Sequence, residues 1–296
     1  MRCLMALMIF SAVSISLKAG DPASGTDEKA KPLVPGQTDK AKMIAGLPVD
    51  GVFHFGEHEG YLVIPPNYQT EKKYPLIVNF TGRGMTSVAG GVFTGGFSLL
   101  RQKALARGYV IVMPGYGSDT WMNEVAEKIV LECLEHIQSR LSIDADRIYI
   151  LGGSMGGGGA LVFSGRHADK VAAVCDFFGV SDLERFYRAG NYHQSISSAF
   201  GGTPDEKPDV YRERSGINYV ERLKSIPILI VHGDKDPTVP LLYSQIFVGK
   251  MRAAGANPDF VVVPGGSHDD NIVKGLEDKV LDHFDNHKRP SVPEKQ

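Results

Sequence analysis

Ser154 stands in Ile148-Tyr149-Ile150-Leu151-Gly152-Gly153-Ser154-Met155-Gly156-Gly157, an apolar run that reads as a buried strand, then a glycine-flanked serine, then the start of a helix. A serine hydroxyl is a weak nucleophile at neutral pH, so it must project from a sharp turn with a base in reach. Gly152 and Gly156 bracket it as Gly-x-Ser-x-Gly. Without Cβ atoms they let strand and helix approach while the serine backbone takes a strained conformation. The chemistry this predicts is attack on a carbonyl through a covalent Ser154 intermediate.

Such a serine requires a base and an acid, and both follow downstream. Pro227-Ile228-Leu229-Ile230-Val231 reads as a second buried strand and ends in His232-Gly233-Asp234-Lys235-Asp236-Pro237-Thr238-Val239-Pro240. A third, Phe260-Val261-Val262-Val263-Pro264, ends in Gly265-Gly266-Ser267-His268. His268 is the expected base: it takes the Ser154 proton and returns it to the leaving group, while an aspartate orients the imidazole. Asp236 is the expected acid. His232, at the very end of its strand, is expected to be buried and hydrogen-bonded, and Asp234 to order the turn through its own backbone. Asp236 lies two residues further along and is held by Pro237, whose fixed φ restricts the loop.

The elements that must carry these residues alternate along the chain. Strands are predicted over Tyr74–Phe80, Tyr109–Met113, Arg147–Leu151 and Val171–Phe178, and helices over Ser98–Arg107, Glu124–Arg140, Gly157–His167, Leu241–Ala254 and Asn271–His287. That alternation implies a mainly parallel sheet covered on both faces, a doubly wound α/β fold. Val49–Ile64 predicts one hairpin, with His54 and His58 near its turn as solvated side chains and no metal site. Between 181 and 225 the pattern breaks around Tyr187, Tyr192, His193 and Phe200, predicting a small cap-like insertion over the site.

Residues 1–19 combine an early arginine, an apolar run and a small residue at Ala19, the form of a signal peptide, so the mature protein is expected to be secreted or periplasmic with no membrane span. Residues 20–46 read as a flexible arm and 47–290 as one catalytic domain. A net charge of −2 with interspersed signs gives no case for nucleic acid. Cys133 and Cys175 read as buried thiols rather than a bridge, and no Cys/His cluster or other motif calls for a metal or cofactor. Nothing in the sequence sets an oligomeric state.

Gly82 to Gly84, Asp144 to Tyr149, Gly152 to Gly157, His232 to Pro240 and Gly265 to His268 together give the chain, from about Val49 to Lys288, a resemblance to the α/β-hydrolase superfamily. Within it the chain is similar to secreted esterases of the polyhydroxybutyrate depolymerase and feruloyl or acetylxylan esterase kind, and to the catalytic domains of the prolyl oligopeptidase family. The resemblance implies an α/β-hydrolase fold, and the chain order Ser, Asp, His is the order of that superfamily. It favours Asp236 over Asp234, through the pattern His-Gly-x-x-Asp-x-x-Val-Pro. It also implies an oxyanion hole from the backbone N–H groups of Arg83 and Met155, with Thr81 standing where a histidine is usual.

The activity implied is hydrolysis of carboxylic esters of carbohydrate, aryl or short-acyl type, free or linked to a polysaccharide, through a Ser-His-Asp triad. The alternative is a prolyl oligopeptidase-like peptidase, and a catalytically silent binding protein of the same fold is a third reading. Trp121, following a strand end, either stacks on a substrate ring or packs under the insertion as a plug. The Arg83 side chain either binds a substrate carboxylate or faces solvent.

Overall fold

The computed structural model describes residues 42–85, 95–190 and 192–290. The signal peptide expected over 1–19 and all but the end of the arm expected over 20–46 lie outside the described residues. The last part of that arm is structured: β1 (Met43–Ile44) pairs with β2 (Leu47–Pro48), and Leu47 is buried in the core.

The predicted hairpin is β3 (Asp50–Phe55) and β4 (His58–Val63). The sheet continues with β5 (Tyr74–Phe80), β6 (Val110–Pro114), β7 (Ile143–Gly153), β8 (Ala173–Phe177), β9 (Ile228–Gly233) and β10 (Asp259–Val263). Its order is β10-β9-β8-β7-β5-β6-β4-β3, parallel from β10 to β6, with β4 and β3 added antiparallel. Every residue of β5 is buried, as a central strand with both faces covered requires. Leu76, Val78 and Phe80 join one core, and Ile77 faces the other. Each such fully buried side chain contributes roughly 1.5–3 kcal/mol relative to exposure.

Helices α2 (Glu124–Arg140), α3 (Met155–Arg166) and α8 (Leu242–Ala253) feed the first core, and α1 (Ser98–Ala106) and α9 (Glu277–Asp285) the second. Asn123 caps α2, its side chain accepting the Ala126 N–H at 3.0 Å. Most predicted boundaries move by one or two residues, α3 beginning at Met155 and β8 at Ala173, and two elements change more. The strand expected from Arg147 begins at Ile143, carried by a shift of register against β5 between Tyr74 and Leu76. The single helix expected over Asn271–His287 is a 3-10 turn, Asp270–Val273, followed by α9; Gly275 between them has φ 80°, which ends helical geometry. Cys133 and Cys175 are buried and unbridged.

The insertion forms α4 (Leu183–Arg188), α5 (His193–Phe200), α6 (Pro208–Glu213) and α7 (Val220–Leu223). It is tied to the sheet domain by a buried ionic cluster. Glu127 of α2 accepts from Arg166 Nε at 2.7 Å, contacts His167 Nε2 at 2.7 Å and pairs with Arg214 of the insertion, which also donates to the Met122 carbonyl at 3.1 Å. The Glu127 and Arg214 side chains are only 8% and 5% exposed.

Burial opposes ionisation of Glu127, but His167, Arg166 and Arg214 outweigh it and bring its carboxyl from 4.5 down to about 2. A carboxyl depressed in the folded state stabilises the fold above its unfolded value, and that stabilisation is lost as pH falls through the folded value. Stability of the wild type against urea should therefore fall between pH 4.5 and 2, and Glu127→Gln should flatten that part of the profile. At pH 7 the variant should be less stable by about 3 kcal/mol, because a buried arginine loses its counter-charge. An unchanged acid profile in the variant would show that the cluster does not hold the insertion.

Candidate active site

Ser154 lies between the last residue of β7 and the first of α3, with φ 57° and ψ −122°. A non-glycine residue at such a φ carries roughly 1–3 kcal/mol of strain, which the surroundings must hold in place. They do so from both sides: the Ser154 N–H donates to the Phe177 carbonyl at 2.9 Å, and the Ser154 carbonyl accepts the Gly158 N–H at 3.1 Å. The flanking glycines are forced by contact. A Cβ on Gly152 would sit 2.3 Å from the Gly156 carbonyl oxygen, and one on Gly156 2.3 Å from that of Phe80.

His268 follows β10 and Asp236 follows β9, and the two loops are stitched together. Lys235 N–H donates to the Gly266 carbonyl at 2.9 Å, and Gly265 N–H to Asp234 Oδ1 at 2.7 Å. Asp234 is thus a loop tie. The stitching brings His268 Nδ1 to 2.7 Å from Asp236 Oδ2 and His268 Nε2 to 2.9 Å from Ser154 Oγ. An ionised carboxylate only accepts, so Nδ1 carries the proton and Nε2 offers a lone pair to the serine hydroxyl. The Phe178 ring packs at 4.4 Å from the His268 ring. As placed, His268 can take the Ser154 proton and pass it to a leaving group, the order of events that acyl-enzyme chemistry requires.

The Asp236 side chain is fully buried. Its Oδ1 accepts the N–H groups of Thr238 at 2.8 Å and Val239 at 2.9 Å. Burial opposes its charge, yet the His232 ring at 3.4 Å and the hydrogen bonds from His268 and the Val239 N–H prevail and hold the carboxyl well below the usual carboxylate range. Asp176, at the end of β8, has the opposite balance. Its Oδ1 accepts the Gly179 N–H at 2.9 Å, but burial pushes its carboxyl up to about 7, with His232 and that N–H opposing.

The loop after β5 runs beside the serine: a Cβ on Gly82 would lie 3.8 Å from Ser154 Cβ. Arg83 N–H donates to no backbone carbonyl among the described residues, whereas the next amide, Gly84 N–H, is taken by the Ser118 carbonyl at 2.7 Å. The first bond of α3 is Gly158 to Ser154, so Met155 N–H has no partner within its helix. These two amides are the donors that the sequence assigned to an oxyanion. Among the described residues, no group of three His, Cys, Asp or Glu side chains is placed to hold a metal ion.

Ser154 opens into a cleft of about 270 Å³ whose lining includes the apolar Met85, Phe97 and Phe178 and the charged Arg83, Asp269 and Asp270. A second cleft of about 480 Å³ shares Arg83 and Tyr192 with the first and is otherwise lined by polar side chains, among them Asp119, Gln194, Ser195 and Ser198. The Arg83 guanidinium lies 4.6 Å over the Tyr192 ring and 3.8 Å from Asp119, beyond hydrogen-bond range. Trp121 corrects one of the sequence readings. It is 4% exposed, lines neither cleft, donates its indole N–H to Ser195 Oγ at 2.7 Å and packs against Phe186 and Tyr192. It is the plug under the insertion, not a platform for a substrate ring.

Tyr192, Phe178 and the hydrogen-bonded pair of Asp119 and Ser195 escaped the sequence reading as site residues. Tyr192 stood out only as an aromatic in the irregular segment, and Phe178 looked like the last residue of a strand; nothing local says which way either ring faces.

A family model described as BD-FAE matches residues 62–251 of the chain. Among relatives, the chain is 25% identical to the uncharacterized peptidase YtmA of Bacillus subtilis over 155 residues, covering 50% of this chain and 60% of that protein. It is 31% identical to the esterase LipC of Mycobacterium tuberculosis over 74 residues, covering 25% of this chain and 18% of that one. Among solved structures, the acylaminoacyl peptidase of Pyrococcus horikoshii superposes with a TM-score of 0.66 at 20% identity, over 83% of this chain and 43% of that one. At that identity the likeness shows the fold alone. The chain spans less than two thirds of the length of each of these three proteins.

Opposite effects are expected for a glycine substitution at the elbow and one on α8. Gly156→Ala must push α3 away from β5 and should destabilise the protein by about 1–3 kcal/mol. A Cβ added to Gly249, on the exposed side of α8, would meet nothing within 4 Å. Gly249→Ala should therefore stabilise by roughly 0.5–1 kcal/mol through helix propensity. Urea denaturation of both variants checks this, and a neutral Gly156→Ala would show that the close approach is not constraining.

Proposed function

The chain belongs to the BD-FAE family, within the α/β-hydrolase superfamily, and from that premise we propose that it is a serine hydrolase that cleaves carboxylic esters through a Ser154 acyl-enzyme. Ser154 is the nucleophile, His268 the general base and then acid, Asp236 the acid that orients it, and the N–H groups of Arg83 and Met155 the oxyanion donors. The observation that carries the ester reading is the division of the site at Arg83 and Tyr192. An aryl or short acyl group suits the smaller cleft, against Phe97 and Phe178. A hydroxyl-rich alcohol such as a sugar suits the larger cleft, where Gln194, Ser195, Ser198 and Asp119 offer hydrogen-bond partners. In this arrangement the Arg83 side chain contacts the substrate where its two halves meet.

A peptidase is the second reading, and one feature favours it besides the peptidase names among the relatives: Asp269 and Asp270 line the same cleft as Ser154 and would suit a substrate ammonium group. Export is also part of the proposal, through cleavage of the leader after Ala19; a mature protein beginning with Met1 in its native host would remove it.

The test is a substrate panel with Ser154→Ala as its control. Acetylated and feruloylated oligosaccharides and nitrophenyl acetate should be turned over, amino-acyl and X-Pro amides should not, and Ser154→Ala and His268→Ala should each lose at least ~10³-fold in turnover. Preference for the amides would favour the peptidase. Near-wild-type turnover by a folded Ser154→Ala protein would remove the mechanism.

A further inference from the structure

His232 has no part in the proton transfer just described, yet it is fully buried directly behind the triad acid. Its Nε2 lies 2.8 Å from the Val239 carbonyl oxygen and 3.4 Å from Asp236 Oδ2. Its Nδ1 lies 2.8 Å from Ser244 Oγ on α8. A carbonyl oxygen can only accept, so Nε2 must carry a proton. The neutral ring then presents Nδ1 as an acceptor, and the Ser244 hydroxyl donates to it. The Val239 carbonyl therefore selects the tautomer, and the Ser244 hydroxyl, able to donate or accept, completes it by donating to Nδ1.

With that tautomer, the Nε2–H faces both ends of one turn. Val239 donates its N–H to Asp236 Oδ1 and offers its carbonyl to His232, while Asp236 Oδ2 lies within reach of the same His232 N–H. The carboxylate is thereby surrounded by the amides of Thr238 and Val239 on one oxygen and the imidazoles of His268 and His232 on the other. The groups facing His232 from the other packed elements are Asp176 of β8, Ser244 of α8 and the Phe178 ring, its centroid 6.5 Å from that of His232.

We propose that His232 is a positioning residue for the triad: held as its Nε2–H tautomer by the Val239 carbonyl, with the Ser244 hydroxyl on its other nitrogen, it closes the Asp236–Val239 turn and fixes Asp236 Oδ2 in line with His268. The inference rests on the triad reading given above. A misplacement of the acid by about 1 Å loosens the imidazole and can cost 10²-fold in rate while leaving substrate binding untouched.

The experiment uses the full chain and nitrophenyl acetate, with His232→Leu, His232→Gln and Ser154→Ala compared at equal folded fraction. His232→Leu should lower kcat about 10²-fold. KM should stay nearly constant, since the lost interaction does not touch the substrate. His232→Gln, whose amide N–H can replace Nε2–H toward Val239, should recover most of the loss. A kcat in His232→Leu equal to wild type, or His232→Gln no better than His232→Leu, would overturn the proposal. Nitrogen-15 NMR of histidine-labelled wild-type protein provides the second measurement: the Nε2–H tautomer of His232 is required, and an Nδ1–H tautomer would overturn the proposal even if His232→Leu did not fold. Full activity in Ser154→Ala would instead defeat the triad reading itself. An inactive Ser154→Ala beside an unimpaired His232→Leu would defeat this inference alone.

Discussion

The structure depends on how closely the start of α3 approaches the ends of β7 and β5. With Gly156 in van der Waals contact with the Phe80 carbonyl and Gly152 against the Gly156 carbonyl, no side chain fits between strand and helix. That contact turns the chain at Ser154 through a conformation that a serine in a looser environment would leave. It has two chemical consequences. The first amides of α3 are left without helical partners, and the loop that leaves β5 is drawn alongside Ser154.

The acid and base reach the same point by a different principle. Neither the β9 loop nor the β10 loop is a regular element, and each would wander alone; hydrogen bonds between them, through Gly265, Gly266 and Lys235, make them one unit. Inside that unit Asp236 is a buried charge, which is tolerable only when its oxygens are supplied with donors. The same saturation keeps it ionised and leaves one direction open for interaction with His268. Stability and orientation here have one cause.

The insertion is attached by apolar packing into the first core, through residues such as Leu183, Phe186 and Ile217, and by charge, not by extension of the sheet. The Glu127 cluster anchors Arg214, Arg214 holds the Met122 carbonyl, and the adjacent Trp121 supports Tyr192 and Ser195 from beneath. The surface that would contact a leaving group is therefore built on a segment distinct from the triad. Relatives named peptidases and relatives named esterases can share the sheet and still differ in that wall.

Strand and helix succession was legible in the sequence because buried parallel strands are continuous apolar runs and helices show their period locally; the α/β architecture follows from that alternation. Ser154, Asp236 and His268 were legible for a related reason, since each sits at a fixed offset from a strand end beside glycines or a proline that only a tight loop needs. The break in the last predicted helix was missed because Gly275 ends the helix through a positive φ, which composition alone does not reveal. The sequence by itself determined which segments are strands, which loops carry reactive groups, and in what order. Only the tertiary structure decided that Trp121 is a plug, that Asp234 ties two loops, that His232 backs the triad acid and that Glu127 anchors the insertion. Those roles are set by contacts between residues far apart in the chain, through directions of side chains that no local pattern encodes.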